Sequence, residues 1–499
     1  MAAWLHGAAA NAALRAVWHP ATGSRASATA VAASRSAATL ACRLRAQDRA
    51  PSDWRDSVQL PTRQQARGFS SLDVDQVIQH WGNVQPTAVT LKDLCEIGLD
   101  RHRRREHGKF LHRELKIRFS QRVLEISRLP YGLPERIGIR DVIRWYTDFV
   151  YDLEDTPLSE GSSGRDEEFT NLLSRIFEEH SEVIQAMAYG VQDLMSELGK
   201  DYERVQPEVD GHLRRFFMSR IGLRFLVQHH IESYRNRDGH SGILQLECCP
   251  ATVARKAAQD SASLCRGHLG QAPQVIIEES LPGTFTYVPM HLNYMLLEVL
   301  KNACRAVVER HADGFDDVLP PVRIKIVHGN EDLTVKVSDE GGGISRANMK
   351  DVWKFMYSTY KKSPWTKGLA RKQSQDGRFR LNCSSADSIR NPMQRPGPGG
   401  VLAGYGVGLS LSRLYAQYFG GDLKIMSLDG FGTDVYLHLS RLGTNCESLP
   451  KPVLFSPSMR DSSVLDDDAA EEERFLISVD EEAFLRQELA RFRRGSVGE

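Results

Sequence analysis

The sequence predicts an α+β fold: an N-terminal four-helix bundle followed by an α/β sandwich with a mixed sheet. Three observations carry this expectation. From about 75 to 235 the chain is a series of long amphipathic runs broken by few Gly or Pro. "VRIKIVHGNEDLTVKVSD" (322–339) and "GDLKIMSLDGFGTDVYLHL" (421–439) each alternate apolar and polar residues on both sides of a turn, the period of half-buried hairpin strands. Helical text lies between these hairpins, so helices pack onto a sheet instead of standing apart from it.

Taken in order, residues 1–72 are a separate case. They hold nine Arg, no Lys and three Asp, with no acidic residue before Asp48, and are rich in Ala and Ser. That cationic, amphipathic composition is expected of an organellar transit peptide, mitochondrial ahead of plastid. "QARGFSS" (65–71) has the look of a processing site, which would start the mature chain between Phe69 and Asp73. The remaining residues carry 55 basic and 61 acidic side chains, a poor balance for gripping a nucleic-acid backbone. No run approaches the roughly 18 apolar residues of a membrane span. The eight Cys include no CxxC and no zinc or disulfide spacing, which fits buried thiols in a reducing compartment.

The bundle is expected over 73–240. "FLHRELKIRFSQRVLEISRL" (110–129) places Phe110, Leu115, Val123 and Ile126 near helical spacing. "DVIRWYTDFVYDLE", "EEFTNLLSRIFEEHSEVIQAMAYGVQDLMSEL" and "EVDGHLRRFFMSRIGLRFLVQHHIESY" supply three more helices, separated by short breaks, an up-and-down arrangement. "RHRRREHGK" (101–109) reads as a charged, solvated helix face. The second domain is expected over 241–445. Within it, 361–400 is polar, basic and Gly/Pro-rich without period, which suggests a lid insertion. The acidic segment 446–499, with "DDDAAEEERF", is expected to be mostly solvated.

Chemistry concentrates in "HLNYMLLEVLKNACRAVVE" (291–309). On a helix, Leu296, Leu300, Ala303 and Val307 form an apolar stripe, and Glu298, Asn302 and Arg305 fall opposite with Lys301 beside them. Alone this is equally a solvated face. Three glycine turns downstream favour a site. "SDEGGGI" (338–344) follows a strand, bringing Gly341 and Gly343 where backbone can approach a planar ligand, with Asp339 as an acceptor. "GYGVGLSLSRLYAQYFGG" (404–421) runs from a glycine turn into a helix whose free N–H groups would face an anion. "GFGTD" (430–434) closes the last hairpin with a hydroxyl at Thr433.

These four segments resemble the N, G1, G2 and G3 boxes of the ATPase fold shared by gyrase, heat-shock protein 90, histidine kinases and MutL. Within that group, "ExxKNAxRA", "SDxGGGI", "MYST" (356–359), "LAGYGVGL", "FLHREL" and "RFFMSRIGLRFLVQHH" resemble the mitochondrial kinases of pyruvate dehydrogenase and branched-chain α-ketoacid dehydrogenase, over about residues 75–450. The resemblance implies an ATP-binding domain and a protein serine/threonine kinase that inhibits the decarboxylase subunit of such a complex in the mitochondrial matrix. It implies a homodimer and a bundle that docks the lipoyl-bearing core. It makes Asn302 the Mg²⁺ ligand and Glu298 the general base, with Lys301 and Arg305 offsetting phosphate charge. Asp339 and Thr433 would bind adenine, Ser358 and Thr359 would contact nucleotide, and Gly404, Tyr405, Gly406, Val407, Gly408 and Leu409 would cradle the phosphates.

Two departures bear on the substrate. Tyr294 stands where the pyruvate dehydrogenase kinases have a histidine one turn before the base, and the tail after "ESLP" (447–450) lacks their Asp-Trp pair. "MYST" and "ESLP" favour the pyruvate enzyme; Tyr294 and "GQAPQV" (270–275) favour the branched-chain one. His291 is expected at the surface. His229 and His230 sit where a histidine autokinase, a second reading, would hold its phosphoacceptor, without the acidic neighbour that box requires. A nucleotide-dependent binding module without transferase activity is a third, disfavoured by intact Glu298 and Asn302.

Overall fold

The computed structural model describes residues 71–99, 101–156, 163–312, 318–358 and 406–450. The expected transit peptide, the lid insertion 361–400 and the tail beyond 450 lie outside them.

Two short helices, α1 (Ser71–Gly82) and α2 (Leu91–Leu99), precede the bundle. The bundle itself is α3 (Arg101–Ile126), α4 (Ile137–Glu154), α5 (Ser163–Glu179) continued by α6 (Val183–Leu198), and α7 (Tyr202–Ser233). α3 packs on α4 and α7, α4 on α6, and α5 on α7. The third expected helix is thus two, joined by a 3₁₀ turn at His180–Glu182. The break has a visible cause in two cations of α7. Arg224 Nη1 donates to the Phe177 carbonyl at 3.0 Å, and Arg220 Nη2 donates to that of His180 at 3.1 Å. Carbonyls left without helical partners at the end of α5 are thereby satisfied.

The start of α3 departs from a solvated charged face. Arg105 is exposed and pairs with Asp166 at 3.2 Å, but Arg104 and His107 are buried. His107 lies 5.9 Å from His229 and 5.8 Å from His230, ring centre to ring centre. Burial pushes these rings down to about 4 for His107 and about 3 for the other two, so they pack as neutral imidazoles.

The second half contains β1 (His240–Ser241), β2 (Leu244–Cys248), α8 (Pro250–Leu269), β3 (Val275–Glu279), β4 (Phe285–Tyr287) and α9 (Pro289–Arg310). It continues with β5 (Val322–His328), β6 (Asp332–Asp339), α10 (Arg346–Met349), α11 (Gly408–Gln417), β7 (Asp422–Leu428) and β8 (Gly432–Ser440). The main sheet has the order β3-β5-β6-β8-β7; β3 runs parallel to β5 and every other pair is antiparallel. The sheet is therefore mixed, as expected. Alternation works out along β5, where Val322, Ile324 and Ile326 are buried and Arg323 and Lys325 are exposed. Helices α8, α9 and α11 cover the inner face, with α9 packed against both α8 and α11 and against β6. A smaller sheet, β1-β2-β4, joins α2 and α7 to this half. Among the described residues no helix is long and apolar enough to cross a membrane.

His291 corrects a surface expectation. It is 6% exposed, packed 5.7 Å from the Phe225 ring and 4.8 Å from that of Tyr415. Where α9 begins, the apolar text on every side buries the helix between the bundle and α11, leaving no outward face for this ring.

Candidate active site

α9 begins at Pro289, whose missing N–H costs nothing at a first helical position, after an extended Val288. Leu296, Leu300, Ala303 and Val307 are all buried, so the apolar stripe faces the core. Opposite it, Glu298, Asn302 and Arg305 are half-buried instead of solvated. Over Glu298 lies one of the glycine turns.

Gly408 opens α11, and a side chain there would strike the Glu298 carboxylate; the helix end and the carboxylate are in contact because position 408 has none. The first turn of a helix exposes unpaired N–H groups and a partial positive charge, a favourable neighbour for that carboxylate. Two turns further along α9, Ala306 lies directly against Gly341 of the loop after β6. One helix therefore touches both turns, which are separated by 67 positions in the chain.

The loop after β6 is locked to the β7–β8 turn. Gly342 N donates to the Phe431 carbonyl at 3.0 Å, and Gly430 N donates to that of Gly342 at 2.8 Å. Gly343 has φ +72, and a Cβ there would collide with the Leu428 carbonyl, so both conformation and space demand glycine. Ile344 N donates to Ser427 Oγ at 2.7 Å, and Ser427 Oγ lies 3.0 Å from Thr433 Oγ1. Ser427 was not among the expected site residues; a serine at a hairpin end carries no signal beyond turn chemistry.

Asp339 ends β6 directly opposite Thr433 on β8. Its Oδ1 accepts from Gly341 N at 2.9 Å. Burial raises its pKa to about 6, with Asp434 adding to the rise, against the opposing effect of N–H donation from Gly341 and Thr433. Lys301 is buried and its Nζ donates to Glu298 Oε1 at 2.6 Å, so this cation is engaged with the carboxylate. Arg305 lies 3.8 Å from Glu309 along the helix. One turn before Glu298, the Tyr294 hydroxyl is held well above the usual phenol range by burial and then by the Glu298 and Tyr415 charges, with Arg220 opposing.

Gly406 and Val407 enter α11, with Leu409 in its first turn. Gly406 abuts the segment 353–358: a Cβ there would lie 2.5 Å from the Tyr357 carbonyl. Ser410 Oγ donates to the Trp353 carbonyl at 2.8 Å. Ser358 is exposed at the end of this segment. Thr359, Gly404 and Tyr405 lie outside the described residues. The geometry thus gathers a carboxylate with its lysine, an amide, two glycine turns and a half-buried aspartate around one helix.

Residues 88–246 match the family model for the mitochondrial branched-chain α-ketoacid dehydrogenase kinase, and residues 287–442 match that for the histidine kinase-, DNA gyrase B- and HSP90-like ATPase. The chain is 37% identical over 383 residues to the mitochondrial [pyruvate dehydrogenase (acetyl-transferring)] kinase of Arabidopsis thaliana, covering 75% of this chain and 95% of that one. It belongs to the mitochondrial pyruvate dehydrogenase and branched-chain α-ketoacid dehydrogenase kinase family. The Drosophila melanogaster kinase is 30% identical, covering 78% and 90% of the two chains. Human isozyme 1 is 31% identical, covering 75% and 82%. The ATPase match spans α9, both glycine turns and the two hairpins, so the family's ATP-dependent kinase domain is the part of the chain that holds this site.

Proposed function

We propose that the chain is a mitochondrial-matrix protein serine/threonine kinase that uses Mg-ATP to phosphorylate, and so inhibit, the decarboxylase subunit of the pyruvate dehydrogenase complex. The names of its relatives support the substrate. The single observation that carries the chemistry is α9 in contact with both glycine turns, with Glu298 against Gly408 and Ala306 against Gly341.

Phosphoryl transfer needs positioning, charge neutralisation and a destination for the acceptor proton. The N–H groups of Gly406 to Leu409, at the mouth of α11, hold the phosphates, together with Gly404 and Tyr405 of the same motif. Glu298, beside them, takes or orients the proton of a substrate serine. Lys301 fixes the direction of that carboxylate, and Arg305 adds positive charge on the same face. Asn302 sits one turn from Glu298, and its amide oxygen is a hard donor that suits Mg²⁺, an ion content with few protein ligands. When bound, the ion neutralises phosphate charge. Asp339 and Thr433 receive adenine, and Ser358 and Thr359 meet the nucleotide. By family analogy the bundle docks the lipoyl-bearing core, and two copies form a homodimer.

The adenine assignment has a pH signature. Only the ionised Asp339 is a full acceptor for an amino group. With its pKa raised to about 6, affinity for ADP should fall as pH drops through that value. Asp339→Asn should weaken ADP binding by about 10- to 100-fold, the range for a hydrogen bond to a charged group. Titration calorimetry between pH 5 and 8 measures both effects, and an unchanged variant would remove Asp339 from the adenine site.

A branched-chain reading has its own support: the bundle matches that kinase's model, and Tyr294 replaces the usual histidine. Incubating the mature protein and Mg-ATP with each purified dehydrogenase complex separates the two readings by where phosphoserine is mapped. Phosphoserine on the pyruvate decarboxylase is the expected result. Label on the branched-chain subunit alone would select the second reading, and acid-labile phosphate on the kinase alone would overturn both.

A further inference from the structure

We propose that Asp210, on bundle helix α7, is a positioning residue for ATP: it holds the backbone of 353–358, the segment that abuts the glycine turn before α11. The inference rests on the nucleotide site proposed above and adds to it a residue on the other half of the molecule.

Phe355 N, in the middle of that segment, donates to Asp210 Oδ1 at 3.3 Å. The Phe355 side chain is 4% exposed and packs 5.3 Å from the Phe217 ring, also on α7. From the other side the segment is held by α11, through Ser410 Oγ on the Trp353 carbonyl and Arg413 over the Trp353 ring at 4.6 Å. Met356, the next residue, has φ +61, a conformation that a methionine adopts only when its surroundings impose it. Tyr357 follows, in contact with Gly406 at the entrance to the phosphate-facing turn. A bundle side chain thus anchors the backbone two residues before the glycine contact and three before Ser358.

The anchor is titratable. Burial raises the Asp210 pKa to about 7, opposed by the Phe355 N–H and then by the Lys354 charge. Lys354 itself pairs with Asp351 at 2.6 Å. On its own helix, Tyr202 lies two turns before Asp210, and Arg214, one turn after, donates to Gln417 of α11 at 3.0 Å. A carboxylate accepts an N–H more strongly than its protonated form does. The 353–358 backbone should therefore be held most firmly above pH 7 and loosen below it.

The test compares wild type, Asp210→Asn and Asp210→Ala in ATP binding from pH 5.5 to 8.5, with Phe355 amide exchange as a direct reading of the anchor. Asparagine keeps a neutral acceptor of the same shape, so its fold should survive even if that of alanine does not. At pH 8 the asparagine variant should bind ATP about five- to tenfold more weakly, in line with the loss of a charge-assisted bond, and exchange the Phe355 amide faster. The wild-type affinity step near pH 7 should vanish from both variants, while the lower step from Asp339 remains; the ligand's own titration is common to all three and cancels. Equal affinities and equal pH profiles in wild type and Asp210→Asn would overturn the proposal. So would Phe355 exchange that ignores the substitution, or a wild type that binds no ATP. Phosphate transfer is assayed separately: ATP binding with these steps but without transfer would sink the kinase reading and leave this one standing.

Discussion

Glu298→Gln should lower phosphate transfer to the dehydrogenase subunit by about 10²- to 10⁴-fold, the span for loss of a general base, while ATP still binds. The amide matches the carboxylate in shape, so the contact with Gly408 and the seat of α11 are kept. It retains an oxygen for the Lys301 ammonium, so that buried cation is not stranded. What it lacks is the ability to take a proton. Single-turnover transfer and direct ATP titration on the same preparation measure the two halves. Transfer at the wild-type rate would show that Glu298 is not the base; a matching loss of ATP affinity would show that its part is structural.

The local signals that predicted this site are those whose cause is local. Hairpin alternation at 322–339 and 421–439 depends on a period of two and a turn, and both pairs form. The stripe of Leu296, Leu300, Ala303 and Val307 depends on helical period alone, and it is buried. Glycine at 343 and 408 marks backbone approach, and both positions prove to be in contact with other segments. The strand β3 was not foreseen, because "VIIEE" is short and its partner β5 lies across an intervening helix. Asp210 was equally invisible, and Glu447 stood out as the first residue of "ESLP" but not as a buried partner. Each is an ordinary acid in a helical or tail segment, and acquires meaning only from partners 145 and 329 positions away. His291 misled for the same reason: a polar ring near a helix start looks solvated until a second helix covers it.

Glu447 is the position where a single change should cost the most stability. It is 4% exposed, and Arg118 of α3, 3% exposed, donates to both of its oxygens, at 2.9 and 2.6 Å. Val89 N donates to the same carboxylate at 3.1 Å, and the Tyr418 hydroxyl, just after α11, also bonds it. Gly222 on α7 leaves the room that this hydroxyl occupies. Burial alone would lower the Arg118 pKa, yet the Glu447 charge and hydrogen bonds hold it above its ordinary value, so this guanidinium stays charged across the physiological range. Removing one partner of a buried pair leaves the other desolvated without compensation, at about 3–5 kcal/mol. Glu447→Ala should therefore unfold at markedly lower denaturant, and exchange in 84–90 and 446–448 should rise first, because those backbones meet through this cluster and the Thr90–Cys446 bridge. Replacing both Arg118 and Glu447 by apolar residues of similar volume should recover part of the loss, though Glu114, which Arg118 Nε also serves at 3.0 Å, would then lose its cation and keep the Thr87 N–H at 2.7 Å. If Glu447→Ala stays within about 0.5 kcal/mol of wild type, the range of ordinary surface substitutions, the cluster does not hold the bundle to the ATP-binding half.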